Sequence, residues 1–161
     1  MVIQELFHEF SFHSSVENNS IKGLDFDSRM ISEGELFLAV KTQTNDGHFY
    51  INDAFHKGAS ICIVHESFYR QSPENIKEKL IPYDDLNGFI KKYGKRCLKL
   101  LNIPHRIAIT GTNGKTTTKD FIYSLIHNHC LSFKSYKNYN NLLGLIYNIF
   151  RIPENTETAV F

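Results

Sequence analysis

A glycine-bounded turn within residues 107–117 constrains the fold of this chain more than any other feature. A short apolar segment enters the turn, and Gly-Lys-Thr-Thr closes it. Gly111 and Gly114 can adopt backbone angles that other residues avoid, so consecutive N–H groups can converge on one anion. Lys115 adds a mobile positive charge, and Thr116 adds a hydroxyl suited to Mg²⁺. The pattern predicts a phosphate-binding loop between a strand and a helix of an α/β fold.

The spacing of this loop differs from the general pattern G-x-x-x-x-G-K-[ST]. Ile109 stands where the first glycine of that pattern would be, and Gly111 gives a shorter G-x-x-G-K-T loop. The context still fits, since residues 106–110 predict a strand and the apolar residues after the loop recur at helical spacing. An ordinary strand–turn–helix connection is the alternative, but packing alone does not require Gly-Lys-Thr-Thr at a helix start.

The composition excludes several classes of protein. The formal net charge of +1 over 161 residues predicts no broad attraction to nucleic acid or to anionic lipid. No apolar run approaches the roughly 20 residues of a membrane span, and no signal peptide is visible. We therefore expect a cytoplasmic protein, and a monomer.

The cysteines predict neither disulfides nor a metal site. Cys62, Cys97 and Cys130 are dispersed and odd in number, which is typical of reduced thiols. His127 and His129 lie close to Cys130, but residues i and i+2 do not share a helix face. The cluster is better interpreted as a frayed helix end than as a metal site.

The pattern of apolar residues predicts two α/β units joined by a helix. The first unit reads strand, loop, strand, helix and strand within residues 21–64, and residues 66–82 read as a loop and connector because they are polar and hold two prolines. Asp84 or Asp85 is expected to cap the helix over 86–101. The second unit then predicts a strand, the phosphate loop and its helix, a strand at 131–133, a helix at 142–150 and a strand from 158. We predict domains at 1–82 and 103–161 with a linker helix at 83–102.

Several motifs, taken in order, resemble the Mur ligases, cytosolic enzymes that build the peptidoglycan precursor. Residues 111–117 resemble the ATP loop of that family. Ahead of it, residues 27–29, 34–39, 46–48 and 58–59 resemble the N-terminal nucleotide-sugar domain of the members that add the third amino acid or the D-alanyl-D-alanine dipeptide.

The Asn-rich stretch resembles the dipeptide-adding member more than its neighbour. It comprises residues 138–141 with Gly144, whereas the ligase that adds the third amino acid carries Thr-Thr-Pro at this place. Lys137 and Ile146 depart from the pattern, at positions where Gly and Pro are usual. Residues 158–161 resemble the strand that precedes a Mg²⁺-binding Glu, so the resemblance implies a fragment of a longer ligase, inactive alone.

The resemblance implies amide formation driven by ATP and Mg²⁺. A substrate carboxylate attacks the γ-phosphate to give an acyl phosphate, and an amine then displaces phosphate. Lys115 and Thr116 are the implied catalytic residues, neutralising charge and binding Mg²⁺. The nucleotide would be contacted by the whole loop, namely Gly111, Thr112, Asn113, Gly114, Lys115, Thr116 and Thr117. Thr117 alternatively only caps the helix.

The implied substrates are UDP-N-acetylmuramoyl-tripeptide and D-alanyl-D-alanine. Their implied contacts are Asp27, Ser28, Arg29, Asp46, Gly47, His48, Asn138, Asn140 and Asn141. Each group has an alternative. Asp27 and Arg29 can simply form an ion pair in a surface turn, Asp46 and Gly47 an ordinary turn, and the asparagines can satisfy their own backbone.

Other functions compete with this interpretation. The ligase that adds the third amino acid stays open as an alternative, and so does a non-catalytic nucleotide-sugar binder. A P-loop kinase or other NTPase should carry the longer glycine spacing and a second acidic motif, and neither is found. Folylpolyglutamate synthetase has a similar ATP loop, but that identity would not explain residues 27–29 or 46–48.

Overall fold

The computed structural model describes residues 21–136 and 141–161. It divides into two compact units, one ending at Tyr93 and the other beginning at Gly94. Each unit contains one parallel β-sheet with helices beside it. The α/β class with parallel sheets agrees with the class predicted from the sequence.

The first unit is built on a four-stranded parallel sheet with strand order β1-β2-β3-β4. Its elements in chain order are β1 (Gly23–Asp25), β2 (Glu35–Leu38), a 3₁₀ turn (Gly47–Tyr50), α1 (Ile51–His56), β3 (Ile61–His65), α2 (Glu66–Gln71), α3 (Glu74–Lys77) and β4 (Leu80–Tyr83). Leu36 pairs with Ile61, and Ile63 pairs with Ile81. Because all four strands are parallel, their carboxyl ends meet at one edge, where ligands of open α/β sheets bind.

The strands of this sheet are apolar along their length because both faces are covered. Leu36 and Leu38 are fully buried, and Phe37 on the opposite face is 1% exposed. Phe37 packs in a cluster with residues of α1 and β3, among them Ala54 and Cys62. This core holds the carboxyl ends of the strands in place.

The prediction of a loop at residues 66–82 is wrong. The structure has two short helices there, α2 and α3, and most of the strand β4. Pro82 argues against a central strand because it lacks an N–H donor. β4 is an edge strand, where that donor is not needed, and Pro82 is exposed.

A long helix, α4 (Leu86–Leu101), follows β4 as predicted. Asp85 is its cap, since Asp85 Oδ1 accepts from the N–H of Asn87 at 3.0 Å and Oδ2 from that of Gly88 at 2.8 Å. Asn102 then adopts φ +45°, the left-handed conformation that commonly ends a helix. The division between the two units falls inside α4.

The second unit is built on a three-stranded parallel sheet with order β5-β7-β6. Its further elements are β5 (His105–Ile107), α5 (Lys115–Ile126), β6 (Ser132–Lys134), α6 (Leu142–Ile149) and β7 (Thr158–Val160). The predicted strands at 106–110 and 131–133 are thus each shifted by one residue at their starts, and β5 is shorter than predicted. Ile103, Ile152 and Ala159 form a buried cluster of this unit.

None of the helices within the described ranges combines the length and the apolar character that a bilayer crossing requires.

Candidate functional site

The phosphate loop lies at the carboxyl edge of the second sheet. β5 ends at Ile107, α5 begins at Lys115, and residues 108–114 connect them. Gly114 is the N-cap of α5 with φ +77°, and Gly111 has φ +153°. A Cβ at Gly114 would meet no atom within 4 Å. Glycine is therefore favoured at position 114 by its backbone conformation and not by crowding.

The start of the loop is fixed by pairing with the end of β7. The N–H of Ile109 donates to the carbonyl of Phe161 at 2.9 Å, and the N–H of Phe161 donates to that of Ile107 at 2.8 Å. The N–H of Thr118 donates to the carbonyl of Gly114 at 2.8 Å, which closes the first turn of α5. The loop is thus held between a sheet edge and a helix N-terminus.

Lys115 folds back over the loop. Its Nζ donates to the carbonyl of Gly111 at 2.6 Å, and the carbonyl of Thr112 lies 3.4 Å away. Residues 111–114 are exposed, and Lys115 is half-buried. No ion pair of Lys115 is found among residues 21–136 and 141–161, so both partners of this ammonium are neutral. The arrangement concentrates positive charge beside an accessible helix N-terminus, which favours binding of an anion.

The threonines occupy the first turn of α5. Thr116 and Thr117 are the second and third residues of this helix, and both are exposed. Gly114 is the N-cap and makes no side-chain cap bond, so Thr117 does not cap the helix. The alternative of a purely capping role for Thr117 is therefore wrong. Its predicted contact with the nucleotide stays a prediction.

One residue of the Asn-rich stretch is placed by the structure. Asn141 is the N-cap of α6, and its Oδ1 accepts from the N–H of Gly144 at 2.8 Å. Asn138 and Asn140 lie outside the described residues. The side-chain oxygen of Asn141 thus satisfies local backbone, as the alternative interpretation of these asparagines expects.

The Asp27–Arg29 turn follows β1 at the carboxyl edge of the first sheet. Arg29 Nε donates to Asp27 Oδ1 at 2.9 Å and Nη2 to Oδ2 at 2.7 Å, a bidentate pair. These hydrogen bonds hold the pKa of Asp27 below its usual value. The Arg29 side chain nevertheless stays 84% exposed, while Ser28 between the two is buried. The pair leaves the guanidinium accessible to a ligand.

His48 is buried and anchors the loop that follows β2. Its Nδ1 lies 2.6 Å from Asp46 Oδ1, and its Nε2 accepts from the backbone N–H of His65 at 2.9 Å. Because Nε2 is an acceptor, the proton is on Nδ1 and the ring is neutral. Burial raises the pKa of Asp46, but the hydrogen bonds from His48 together with the nearby positive charge, that of Lys41 included, lower that pKa below its usual value.

Gly47 has a steric reason to be glycine. A Cβ at this position would lie 2.7 Å from the backbone N of Val40 and 3.0 Å from its carbonyl oxygen. The N–H of Gly47 also donates to that carbonyl at 2.9 Å. The loop therefore crosses directly over the end of β2, and this contact places Asp46 and His48.

A pocket of about 330 Å³ opens at the same edge of the first sheet, beyond the ends of β3 and β4. It is lined by Lys41, Asp46, His48, Phe49, His65, Ser67, Phe68, Gln71 and Tyr83. Tyr83 donates its hydroxyl to the carbonyl of Ala39 at 2.9 Å. Burial and the charge of Asp46 raise the pKa of Tyr83 to about 12, so this hydroxyl remains a donor.

The structure brings only part of the predicted substrate set to this pocket. Asp46 and His48 line it, whereas Asp27, Ser28 and Arg29 do not. Sequence reasoning missed His65 and Tyr83. His65 is the last residue of β3, so the carboxyl-end rule could have found it, but the sequence pattern predicts a loop over residues 66–82, which include most of the strand that carries Tyr83.

The histidines near Cys130 form no metal site. His127 Nδ1 lies 3.0 Å from the carbonyl of Ser124 in the last turn of α5. No group of metal-binding side chains occurs in the part of the chain that the structure describes. The thiols of Cys62, Cys97 and Cys130 are free.

Comparison with protein families gives two adjoining matches. The model of the Mur ligase family catalytic domain matches residues 20–108, and that of the Mur ligase middle domain matches residues 109–161. The boundary between the two matches falls just before the phosphate loop.

Curated relatives cover most of this chain. A UDP-N-acetylmuramoyl-tripeptide–D-alanyl-D-alanine ligase of Bacillus subtilis is 33% identical over 144 residues, which are 89% of this chain and 31% of the relative. A UDP-N-acetylmuramoyl-L-alanyl-D-glutamate–2,6-diaminopimelate ligase of Phocaeicola vulgatus is 36% identical over 115 residues, 67% of this chain and 22% of the relative. The chain thus spans about a third or less of the length of the relatives it matches.

Solved structures share the fold. The crystal structure of MurF ligase from Thermotoga maritima in complex with ADP matches with a TM-score of 0.70 and 28% identity, covering 87% of this chain and 31% of that one. A MurF crystal structure from Acinetobacter baumannii gives a TM-score of 0.79 at 24% identity, with 98% and 34% covered. At that identity the second match bears on the fold alone.

Proposed function

The chain belongs to the Mur ligase family, and from this premise we propose that it supplies the nucleotide-sugar and ATP sites of a ligase that adds D-alanyl-D-alanine to UDP-N-acetylmuramoyl-tripeptide. Members of the family are ATP-dependent acid–amino-acid ligases. The proposal assigns residues 1–82 to the nucleotide-sugar domain, 83–102 to a linker helix and 103–161 to the start of the ATP domain. It places the reaction in the cytoplasm.

One observation carries the proposal: the ammonium of Lys115 lies over the phosphate loop at the N-terminus of α5. The left-handed Gly114, the exposure of residues 111–114 and the helix dipole all favour an anion at this point. A polyphosphate is the anion that such a loop suits, and the Thermotoga maritima relative was crystallised with ADP. We therefore assign the outer phosphates of ATP to this loop.

The proposed reaction joins a carboxylate and an amine at the cost of ATP. The tripeptide carboxylate attacks the γ-phosphorus, ADP leaves, and the amine of the dipeptide then displaces phosphate from the acyl phosphate. Two anions meet in the first step, so positive charge there lowers the barrier. Lys115 would neutralise the phosphates from one side, and the Thr116 hydroxyl would hold Mg²⁺, which supplies further positive charge when bound.

Two features favour the dipeptide-adding activity over the closest alternative. The relatives that add D-alanyl-D-alanine in Bacillus subtilis and Rickettsia prowazekii align with 89% and 92% of this chain. The 2,6-diaminopimelate ligases of Phocaeicola vulgatus and Clostridioides difficile align with 67% and 68%. The order of asparagines within residues 138–141 also favours the dipeptide-adding activity. Addition of the third amino acid is the second candidate function.

The nucleotide sugar is proposed to bind at the carboxyl edge of the first sheet. The exposed Arg29 guanidinium suits a pyrophosphate, and Ser28 and Asp27 suit polar edges of a uracil or ribose. The pocket beside Asp46 and His48 adds aromatic walls from Phe68 and Tyr83. Asn138, Asn140 and Asn141 are proposed to contact the muramyl-peptide part.

Replacement of Arg29 by alanine tests the nucleotide-sugar site. We expect the affinity for UDP-N-acetylmuramoyl-tripeptide to fall by about 10- to 150-fold, since a hydrogen bond to a charged group contributes roughly 1.5–3 kcal/mol. Isothermal titration calorimetry measures the dissociation constant directly. Arg70→Ala is the matched control, because Arg70 is 74% exposed and also pairs with a carboxylate, that of Glu66. Equal affinities for the Arg29→Ala and Arg70→Ala variants would place the site elsewhere.

A further inference from the structure

The backbone just after β6 is held by buried polar side chains from two different helices. The segment Ser135–Tyr136 follows the last residue of β6, at the same sheet edge as the phosphate loop. The N–H of Ser135 donates to the carbonyl of Val160 at 2.9 Å, which ties the segment to β7. Two further bonds to this segment come from the side chains of Lys119 and Asn148.

Lys119 reaches the segment from α5. Its Nζ donates to the carbonyl of Ser135 at 2.7 Å, and the residue is only 7% exposed. Lys119 lies one helical turn after Lys115, the first residue of the same helix. The bond therefore connects the helix that bears the phosphate loop to the end of β6.

The environment of Lys119 is unusual for a buried lysine. Within residues 21–136 and 141–161, the carbonyl of Ser135 is its one hydrogen-bond acceptor. The neighbouring carboxylate of Asp120 forms its ion pair with Lys134, at 2.7 Å, and attracts the Lys119 ammonium without a hydrogen bond. An ammonium has three donors, and burying it with one neutral hydrogen-bond acceptor and a carboxylate that it does not bond costs desolvation free energy that a methionine would avoid. Stability alone thus does not favour lysine at position 119.

Asn148 reaches the same segment from α6. It is 1% exposed, and its Oδ1 accepts from the N–H of Tyr136 at 2.5 Å. Its Nδ2 donates to the carbonyl of Gly144 at 2.7 Å and lies 3.5 Å from the carbonyl of Tyr136. Gly144 is in turn bonded to the side chain of Asn141. Tyr136 is thereby linked to the first turn of α6.

We propose that Lys119 and Asn148 are positioning residues, which together form a clamp on Ser135–Tyr136. The clamp sets the start of α6, with Asn141 at its cap, in a fixed place relative to the helix that begins at Lys115. This role rests on the proposed function, because bound nucleotide is expected to restrict the motion of the phosphate loop. The clamp would extend that restriction to the end of β6. In the ligation reaction this would hold the acceptor side of the site against the phosphates.

Amide hydrogen exchange at Tyr136 tests the clamp, with the 161-residue chain and Mg-ADP as the probe. In the unaltered chain we expect saturating Mg-ADP to slow exchange of the Tyr136 N–H by about tenfold, because binding suppresses local opening. In Lys119→Met this slowing should disappear while the dissociation constant for Mg-ADP changes by less than about threefold. Lys119→Arg, which keeps a charged donor, should restore the slowing.

The control variant is Lys134→Met. Lys134 is 41% exposed and pairs with Asp120 at the surface, so its loss should leave the protection of Tyr136 intact. If Lys119→Met fails to give a folded spectrum, Lys119→Leu, which also lacks a donor, takes its place with the same expected result.

Three outcomes overturn the clamp. Slower exchange of the Tyr136 N–H on addition of Mg-ADP to the Lys119→Met variant would show that Lys119 is not needed to connect the phosphate loop with Tyr136. A fall of more than tenfold in Mg-ADP affinity would show that Lys119 contacts phosphate itself. If the unaltered chain does not bind Mg-ADP, the proposed function is wrong. The clamp is then tested by comparing amide exchange at Tyr136 in the ligand-free unaltered chain and in the ligand-free Lys119→Met variant. Equal exchange of Tyr136 with and without the Lys119 side chain would refute it.

Discussion

Replacing Lys115 with methionine should weaken binding of Mg-ADP to this chain by about 10- to 150-fold without unfolding it. The Lys115 Nζ lies 2.6 Å from the carbonyl of Gly111 and is positioned over the loop. A charge-assisted hydrogen bond to phosphate contributes about 1.5–3 kcal/mol, which converts to this range of affinity. Methionine keeps an unbranched side chain only one atom shorter than lysine and removes its charge and its donors.

Calorimetric titration of Mg-ADP measures the effect. The matched control is again Lys134→Met, since both lysines belong to the second unit and Lys134 contacts the exposed carboxylate of Asp120 and the Tyr123 ring, away from the phosphate loop. In a complete ligase that contains this chain, the same change at position 115 should abolish nearly all amide formation and spare the nucleotide-sugar affinity. A dissociation constant within threefold of the unaltered value would remove Lys115 from the phosphate site.

Gly47→Ala should destabilise the first unit by about 1–3 kcal/mol, the usual cost of forcing an extra methyl group into a filled space. The added Cβ would meet the backbone N of Val40 at 2.7 Å, and backbone atoms at the end of a buried strand cannot move aside freely. The loop would have to lift from β2. Asp46 and His48 would move with it, so the affinity for the nucleotide sugar should fall as well.

Urea unfolding, followed by NMR signals from each unit separately, measures this loss. Gly94→Ala is the control, because a Cβ there would lie 3.5 Å from Ile149 Cδ1, an ordinary contact. Within the helix α4 that change should be neutral or should stabilise the second unit by up to about 1 kcal/mol. Unchanged stability of the first unit in Gly47→Ala would contradict the steric account of this glycine.

Much of the fold follows from local pattern. The apolar face of α4 and the capping residue Asp85 predict that helix over its full length. The strand β4 could not be predicted in the same way. Its assignment depends on its position at the edge of the sheet, where Pro82 is tolerated, and strand order is a property of the tertiary structure.

The candidate sites also differ in how far the sequence predicts them. Residues 111–117 are adjacent in sequence, so their spacing alone predicts the phosphate loop. The pocket of the first unit collects side chains from the ends of β3 and β4, from the loop and 3₁₀ turn after β2, and from α2, which no local pattern brings together. Lys119 and Asn148 are polar residues in helices, and only the packing of α5 and α6 shows that both contact the segment after β6.

In the proposed function, backbone amides between Gly111 and Thr117, together with the Lys115 ammonium, bind the phosphates of ATP. A ¹⁵N–¹H NMR titration of the chain with Mg-ADP tests it most directly. We expect the amide resonances of residues 111–117 to undergo the largest shifts and to saturate together at one dissociation constant. Saturable binding that leaves these resonances in place and moves those of other residues would contradict it.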